Sequence, residues 1–386
     1  MGEKIQLNQA VDPGLATVFI SQPTGTTAPQ GVEARFDLSS FPRIESMLVD
    51  LPMEHIADIV TKICGLCPVT HHLAVYQAWE HMRGFRPADI PPRAQAVRTL
   101  LHYGSVLDTV APKLIMTYRQ AAVTIKKAGK ALQRAAGMEG HFPHVATVGG
   151  VLHDVTITPE LRAIVEEALA VARELPVAEP IPCSGGDLFQ SDASGNWDPV
   201  GSHVRYADSA HCEVFPVEEF FDRVHERHPG EIVPRPYIDT PTGEALYRVG
   251  PRTHAGDGED AWGIVEALSK SLLTLSRIAE TDAQLVGTPS QEPTRTGVGL
   301  VDGPRGVLAH AYEVDENEVV TAAHVLTPTA QNEPWLAELL TEACSGPDNE
   351  RTSRAEAAIR AADPCMPCAS MPPGMMNIEF KEEPCA

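Results

Sequence analysis

ICGLCPVTHHLA at residues 63–74 and ADPCMPCASM at residues 362–371 each contain a Cys-x-x-Cys pair. Such a pair places two thiolates on one tight turn, and the neighbouring glycine and prolines suit a bent backbone. Two turns of this kind brought face to face would make a four-sulfur site, which selects zinc, nickel, copper or an iron–sulfur cluster. The four candidate metal ligands are Cys64, Cys67, Cys365 and Cys368.

The wide separation of the two pairs leaves three interpretations open. Zinc ribbons and similar local modules usually separate their pairs by roughly 15–20 residues, whereas here most of the chain lies between Cys67 and Cys365. Closing so long a loop is feasible because its entropic cost grows only logarithmically with length. Spacing alone therefore allows a structural zinc site, a catalytic transition-metal centre or unrelated thiols.

Composition and charge exclude several classes of function. The chain has 386 residues, with 30 Lys and Arg against 52 Asp and Glu, and a formal charge of −22. So acidic a surface repels phosphate backbones and anionic membranes, and we expect no nucleic-acid partner. No apolar run is long enough for a spanning helix, and the first residues, MGEKIQLNQAVDPG, do not look like a secretory signal. We therefore expect a cytoplasmic protein whose eight cysteines do not form a disulfide framework.

The patterning predicts a mainly α-helical body with small peripheral β-sheets, an α+β fold. From Leu51 onward apolar residues recur at helical spacing. A long helix is expected over 93–136, with a kink or a break at Pro112. The stretch 310–328 consists of two alternating runs around Asp315, which predicts a β-hairpin.

No shift in composition marks a domain boundary, so we expect a single domain over residues 1–386. Within it we expect a β-containing part at 1–50 and a helical body at 51–368. The tail at 372–386 is either a precursor extension or a permanent end of the protein.

Four stretches, taken in order, resemble the large subunit of nickel–iron hydrogenases. They are PRIE at 42–45, KICGLCPVTHHLA at 62–74, GPRGVLAHAYEVDENEVVTAAHVLTPTAQN at 303–332 and IRAADPCMPCA at 359–369. The combination of Cys-Gly-x-Cys-Pro-x-x-His-His with a distant Asp-Pro-Cys-x-x-Cys is far more specific than a lone Cys-x-x-Cys. The chain is most similar to the cytoplasmic kind that reduces NAD(P) or a deazaflavin. The related respiratory complex I subunit has the same fold but lacks the cysteines that this chain carries.

The resemblance implies that all four cysteines bind nickel. Cys64 and Cys365 would be terminal ligands, and Cys67 and Cys368 would bridge nickel to an iron that carries CO and two cyanides. Thiolates are soft donors that suit nickel, and a bound metal keeps them deprotonated at neutral pH. Dihydrogen would split heterolytically at this centre, with the proton taken by Cys365.

The resemblance also assigns roles to five residues around the centre, each with an ordinary alternative. Arg305 would lie over the metals and contact a cyanide, or it would be a surface turn residue. Thr329 would bond the other cyanide, or it would cap a turn. Asp363 would support Arg305 and His71 would lie behind the first cysteine pair, or both would be structural. Glu45 would help to bind magnesium, or it would be a solvated residue at a helix start.

The sequence departs from the family pattern at four places, one of which is the loose fit of YRVGPRTH at 247–254. The glutamate that relays protons near the start of family members is absent from 10–15, where Asp12 is a poor geometric replacement. Met371 replaces a histidine that in the family binds magnesium and marks the maturation cut. Val110 and Lys113 stand near the place of the family's paired histidines. The resemblance thus leaves the proton route and the magnesium site without their usual residues.

The leading functional prediction is the catalytic large subunit of a hydrogenase, an enzyme that interconverts dihydrogen with protons and electrons. Its other cysteines are too few and too scattered for an iron–sulfur wire. Electrons would therefore pass first to an iron–sulfur small subunit, then to flavin or other cofactor subunits. Two alternatives stay open: a non-catalytic hydrogen sensor or scaffold, favoured by the missing glutamate and histidine, and a structural four-cysteine zinc protein.

Overall fold

The fold is given by a computed structural model that describes residues 14–22, 32–39, 44–177, 180–229, 231, 233–254 and 263–384. Asp12 and the first two residues of the PRIE motif lie outside these residues. The α-helices in the described part are α1 (Glu45–Leu48), α2 (Met53–Val60), α3 (Pro68–Met82), α4 (Pro92–Leu114), α5 (Arg119–Ala135), α6 (Pro159–Ala172), α7 (Phe220–Arg223), α8 (Ile264–Arg277), α9 (Pro328–Gln331), α10 (Glu333–Ser345) and α11 (Arg351–Ala362). The strands are β1 (Leu15–Gln22), β2 (Glu33–Phe36), β3 (Ala146–Thr147), β4 (Gly150–Val151), β5 (Gly186–Ser191), β6 (His203–Ala207), β7 (Cys212–Pro216), β8 (Val224–Glu226), β9 (Pro236–Thr240), β10 (Gly243–Ala245), β11 (Tyr247–Arg248), β12 (Thr296–Gly303), β13 (Gly306–Val314), β14 (Val320–Leu326) and β15 (Asn377–Pro384).

Helices form the body of the molecule, and the strands form small sheets around it, so the predicted α+β class is confirmed. The sheets have the strand orders β15–β1–β2, β10–β9–β8, β11–β5–β6–β7, β12–β13–β14 and β3–β4. One apolar cluster packs α2 and α3 against β13 and β14, and another packs α4, α5, α6 and α8 together. None of the described helices is long and apolar enough to cross a membrane.

The helix expected over 93–136 is broken into two antiparallel helices just after Pro112. α4 runs through Pro112 to Leu114, and α5 begins at Arg119 and packs back along α4. The backbone N–H of Tyr118 donates to the Leu114 carbonyl at 2.7 Å and closes the turn between them. The break leaves Lys113 on the last turn of α4.

Helix α3 lies unusually close to strand β12 because the strand presents glycines to it. A Cβ atom at Gly297 would lie 2.1 Å from the carbonyl oxygen of Ala78, and one at Gly299 would lie 2.1 Å from that of Ala74. Any side chain at either glycine would push the helix away. This contact fixes the helix that follows Cys67 against the strand that leads to Arg305.

The predicted β-hairpin is confirmed, with β13 and β14 paired in antiparallel register. The side chain of Asp315 accepts the backbone N–H groups of Asn317 and Val319 at 2.8 and 2.9 Å, which holds the turn. Strand β12 pairs with the other edge of β13. The tight turn between β12 and β13 contains Pro304 and Arg305.

The tail at 372–386 contains a strand of the fold. β15 pairs in parallel with β1, from Leu15 opposite Asn377 to Gln22 opposite Pro384. Parallel partners need a long connection, and here nearly the whole chain lies between them. Helices α10 and α11 pack under this sheet in one apolar cluster that also contains Cys368. The sheet therefore joins the two ends of the chain beside the second cysteine pair.

Candidate metal centre

The first cysteine turn lies between two helices. Cys64 follows the end of α2, and Cys67 directly precedes α3, whose first residue is Pro68. Proline suits this first helical position because its missing N–H would have no helical partner there. Thr109 of α4 donates a hydrogen bond from Oγ1 to the carbonyl oxygen of Leu66 at 2.8 Å. That bond ties the turn to α4, and the sequence alone gave no signal for it.

The second cysteine turn begins where α11 ends. Asp363 closes the helix in the left-handed region, with a φ of 48°, and the chain changes direction before Cys365. The hydroxyl oxygen of Thr329, on α9, accepts a hydrogen bond from the backbone N–H of Cys365 at 2.7 Å. Thr329 is buried. It therefore acts on this site as a positioning residue for Cys365.

Three sulfur atoms converge from the two turns. The Sγ atoms of Cys64 and Cys365 are 3.1 Å apart, too long for a disulfide bond of about 2.0 Å. The sulfurs of Cys64, Cys67 and Cys365 all lie within 4.8 Å of one another. Hydrogen bonds from the Cys365 and Cys67 thiols hold the pKa of Cys64 well below its usual range, while the pKa of Cys67 is raised. Cys64 is therefore the thiol of this cluster that ionises most readily.

The fourth predicted ligand lies outside this sulfur cluster. Cys368 is 1% exposed and packs among the apolar residues between the β1 sheet and helices α10 and α11. Burial raises the pKa of its thiol. Among the described residues, the structure thus gathers three of the four predicted sulfur ligands, and Cys368 remains a predicted ligand one turn away.

Arg305 is buried beside the sulfur cluster. It lies on the turn between β12 and β13 and is 5% exposed, so the alternative of a surface turn residue is wrong. Its Nε atom is 3.2 Å from Oδ2 of Asp363, yet none of its guanidinium nitrogens has a hydrogen-bond partner in the described part of the chain. Burial opposes its charge, but Asp363 and the three cysteines raise the pKa of Arg305 above its usual value. A fixed cation with unused donors therefore lies next to the thiols.

Lys113, which the sequence marks only as a departure from the family pattern, is a residue of this site. Its ammonium group forms an ion pair with Oδ2 of Asp363, the same oxygen that lies near Arg305. Burial lowers the pKa of Lys113, and the charge of Asp363 works in the opposite direction. Asp363 thus holds two cations at the cluster, which extends its predicted role as a support for Arg305. The signal was present as a lysine on the last turn of a helix that breaks after Pro112.

His71 is the first member of a buried hydrogen-bonded group. Its Nδ1 atom is 3.1 Å from Nε2 of His310, and Nδ1 of His310 is 2.6 Å from the hydroxyl of Tyr312. His310 and Tyr312 lie on one face of β13, as the two-residue period of a strand requires. The neighbouring His72 is structural, as its Nε2 accepts the backbone N–H of Ala146 at 3.0 Å. His71 was predicted from the resemblance, whereas its partners His310 and Tyr312 were not predicted.

Glu45 lies at the first position of α1 and is half-buried. Its negative charge adds to burial in raising the pKa of Tyr312. The structure therefore places Glu45 near Tyr312, and not within the sulfur cluster.

Comparisons with known proteins extend over most of the chain. No protein-family profile matches it. One polypeptide of the F420-non-reducing hydrogenase of Methanothermobacter thermautotrophicus is 26% identical over 418 residues, which cover 88% of this chain and 89% of the relative. The alpha chain of sulfhydrogenase 2 from Pyrococcus furiosus is 24% identical and covers 87% and 92%. The chain is a divergent relative of the nickel–iron hydrogenase large subunits.

Solved structures show the same hydrogenase fold. A crystal structure of an NAD+-reducing [NiFe]-hydrogenase in the H2-reduced state matches with a TM-score of 0.68 at 22% identity, covering 89% of this chain and 94% of that chain. A Ni-Fe-Se hydrogenase from Desulfovibrio vulgaris Hildenborough matches with a TM-score of 0.56 at 15% identity, covering 91% and 95%. The predicted fold is thereby confirmed, and the curated relatives confirm the predicted resemblance to hydrogenase large subunits.

The residues of the cluster fit the metal group expected of a nickel–iron hydrogenase large subunit. The three converging sulfurs are soft donors of the kind that nickel prefers. The buried guanidinium of Arg305 has N–H donors without partners among the described residues, which suits anionic ligands on a neighbouring metal. A structural zinc site would not need a buried cation with unused donors beside it.

Proposed function

We propose that this chain is the metal-bearing catalytic subunit of a hydrogenase that interconverts dihydrogen with two protons and two electrons. The observation that carries the proposal is the gathering of Cys64, Cys67 and Cys365 within 4.8 Å beside Arg305, whose N–H groups have no hydrogen-bond partner among the described residues. The relationship to hydrogenases over most of the chain supports it.

Four cysteines would hold the metal group, three of them already converged and Cys368 as the fourth. When bound, a nickel–iron group with CO and cyanide ligands supplies the redox chemistry that cleaves dihydrogen. Arg305 would then donate its unused N–H groups to the anionic ligands. Thr329 keeps the backbone of Cys365 in place, so this sulfur is oriented before the reaction.

The protein groups around the cluster would receive the proton. Cys365 is the proposed acceptor, and its sulfur lies 3.1 Å from that of Cys64. Arg305 and Lys113 both place positive charge against the same carboxylate oxygen of Asp363. These cations stabilise thiolates over thiols and so favour release of the proton once it has been taken up.

The electrons would leave through an iron–sulfur small subunit, with flavin or other cofactor subunits beyond it. Among the described residues no second cluster of possible metal ligands accompanies the sulfur cluster. Exposed apolar side chains surround the first cysteine turn and the break after α4, and an iron–sulfur partner would cover them. They are Leu66, Ile115, Met116, Tyr118 and Phe142. Glu45 would bind magnesium in this proposal only if other ligands joined it.

Metal analysis combined with infrared spectroscopy tests the proposal. We expect near-equal nickel and iron in the purified protein, together with bands from CO and cyanide, and loss of these bands in a Cys67→Ser variant. Cys344→Ser is a matched control because Cys344 is also buried but lies away from the cluster. One tightly bound zinc without nickel would contradict the proposal. Intact bands with almost no turnover would favour a hydrogen sensor.

A further inference from the structure

Two buried arginines lie beside carboxylates but contact them in different ways. Arg98 and Arg305 are each 5% exposed. The guanidinium of Arg98 forms a fork of two hydrogen bonds with Glu80, from Nη1 to Oε2 at 2.9 Å and from Nη2 to Oε1 at 2.5 Å. Arg305 has its Nε atom 3.2 Å from Oδ2 of Asp363, yet none of its nitrogens has a hydrogen-bond partner among the described residues. The fork that Arg98 forms is therefore missing at Arg305.

Lys113 holds the carboxylate oxygen that a fork at Arg305 would need. Its ammonium nitrogen donates to Oδ2 of Asp363, the oxygen that lies 3.2 Å from Nε of Arg305. A fork requires both oxygens of a carboxylate to turn toward two parallel N–H groups of the guanidinium. An ammonium group is instead a point charge with three donors, and it can hold a single oxygen. Lys113 thus competes with Arg305 for the same acceptor.

Three separate elements bring these groups together. Lys113 lies on the last turn of α4, which Thr109 ties to the first cysteine turn through the carbonyl oxygen of Leu66. Asp363 ends α11, and Arg305 lies on the turn between β12 and β13. The side chains of Lys113 and Asp363 are 23% and 17% exposed, so water has little access to their contact. The competition for Asp363 is therefore set by how α4 meets α11.

We propose that Lys113 is a positioning residue that keeps Asp363 from forming a fork with Arg305 and so leaves the donors of Arg305 free for anionic ligands of the metal group. The use of those donors rests on the proposed hydrogenase function, whereas the competition for Asp363 concerns the chain alone. Asp363 still holds both cations nearby by its charge. Two cations against one anion leave a net positive charge at this place.

Substitution of Lys113 separates this role from a merely structural one. In Lys113→Met the carboxylate of Asp363 is free to turn both oxygens toward Arg305, and a fork like that of Arg98 would use up its donors. Adding Asp363→Asn to Lys113→Met removes one of the two acceptor oxygens, so the guanidinium is released again. The double variant also has the net charge of the unaltered protein. A structural defect at Lys113 would not be repaired by this second substitution.

Nitrogen NMR of the metal-free full chain, labelled with 15N-arginine, tests the competition for Asp363. In the unaltered protein we expect the guanidinium N–H groups of Arg305 to exchange with water at least about tenfold faster than those of Arg98, the factor for one hydrogen bond to a charged group. Lys113→Met should remove this difference, and the double variant should restore it. Loss of the signals in Arg305→Lys and Arg98→Lys assigns them.

Lys130→Met is the matched control for the loss of an ammonium group. Lys130 is also half-buried and pairs with a carboxylate, that of Asp108, at 2.7 Å. The exchange rates of both arginines should stay unchanged in this variant. Should Lys113→Met fold poorly, Lys113→Ala removes the same ammonium without filling its space, and we expect the same slow exchange at Arg305.

Infrared spectroscopy of the metal-loaded complex tests the use of the freed donors. We expect Lys113→Met to shift a cyanide band in the same direction as Arg305→Lys does, and the double variant to return the band to its place. Dihydrogen oxidation should fall about tenfold in Lys113→Met and recover in the double variant, since one charged hydrogen bond is lost and regained. Lys130→Met should change neither the band nor the rate.

Several results would overturn the inference. Equal exchange rates of Arg98 and Arg305 in the unaltered protein would show that Arg305 is already held, and this comparison needs no variant. Unchanged exchange at Arg305 after loss of the Lys113 ammonium would show that Lys113 does not compete for Asp363. A band shift that the second substitution leaves in place would indicate a structural role. If the unaltered complex has no cyanide bands, the proposed function fails, while the exchange rates still decide whether Lys113 keeps Arg305 free.

Discussion

At the scale of single residues, Arg305 shows how the site combines burial with unsatisfied hydrogen bonding. We expect Arg305→Lys to lower hydrogenase turnover by about a hundredfold, because lysine keeps the charge but loses the planar fork of donors. Dihydrogen oxidation with an artificial electron acceptor measures the effect. Arg227→Lys is the matched control, since Arg227 also pairs with a carboxylate, that of Glu244, but is exposed. Equal activity of the two variants would show that the fork of Arg305 is not used.

Asp302 is a second buried charge, two residues before the turn that carries Arg305. Burial raises the pKa of its carboxyl group to about 6, and the indole N–H of Trp197 donates to it at 3.0 Å. Because the folded-state pKa is raised, its contribution to stability is complete below pH about 4 and is lost as the pH rises through about 6. The unfolding free energy should therefore fall by up to about 3 kcal/mol as the pH rises through this range, and we expect Asp302→Asn to remove that fall.

Urea unfolding between pH 4 and pH 7 measures the effect of Asp302→Asn. Asp348→Asn is the control because the side chain of Asp348 is 86% exposed and pairs with Arg351 only at the surface. The two variants should differ in the slope of the unfolding free energy against pH. Parallel slopes would show that Asp302 ionises in the folded protein as easily as an exposed aspartate.

At the scale of elements, the sequence predicted features that depend on local pattern. The hairpin of β13 and β14 and the break after Pro112 follow from alternation, turn residues and the missing N–H of proline. The pairing of β1 with β15 could not be predicted, because neither strand carries a signal for a partner at the other end of the chain. The same holds for the hydrogen bond from Thr109 to the first cysteine turn. Lys113 was visible in the sequence, but its contact with Asp363 depends on how α4 meets α11.

Strand β15 offers a test of how much the tail stabilises the fold. A chain that ends at Met371 loses the ladder with β1 and the burial of Met376, which is 6% exposed. We expect the unfolding free energy to fall by at least about 2 kcal/mol, the value for burying one large apolar side chain. A chain that ends at Pro384 is the control. Equal urea midpoints for the two truncations would show that β15 adds nothing to stability.

At the scale of the whole molecule, the cysteine cluster joins two apolar clusters that are far apart in sequence. Cys64 and Cys67 flank the cluster built on α2 and α3, and Cys365 follows the cluster built on α10 and α11. The four candidate ligands could be picked out from the sequence because Cys-x-x-Cys spacing is a local pattern. The convergence of three of them, Cys64, Cys67 and Cys365, could not, because it depends on how these two clusters pack together. A metal bound at this junction would therefore stabilise the fold as well as take part in the reaction.

Metal removal tests this coupling between the two halves of the fold. Ligands that bind the folded state alone stabilise it by about 4 kcal/mol at a thousand times their dissociation constant. We expect the metal-loaded protein to unfold at higher temperature than the metal-free protein, and Cys64→Ser to abolish that difference. Cys344→Ser should keep it, because Cys344 is buried in the α10 and α11 cluster and is not among the three converging cysteines. A metal-dependent stability that survives in Cys64→Ser would mean that the metal binds elsewhere and that the two cysteine turns are held together by packing alone.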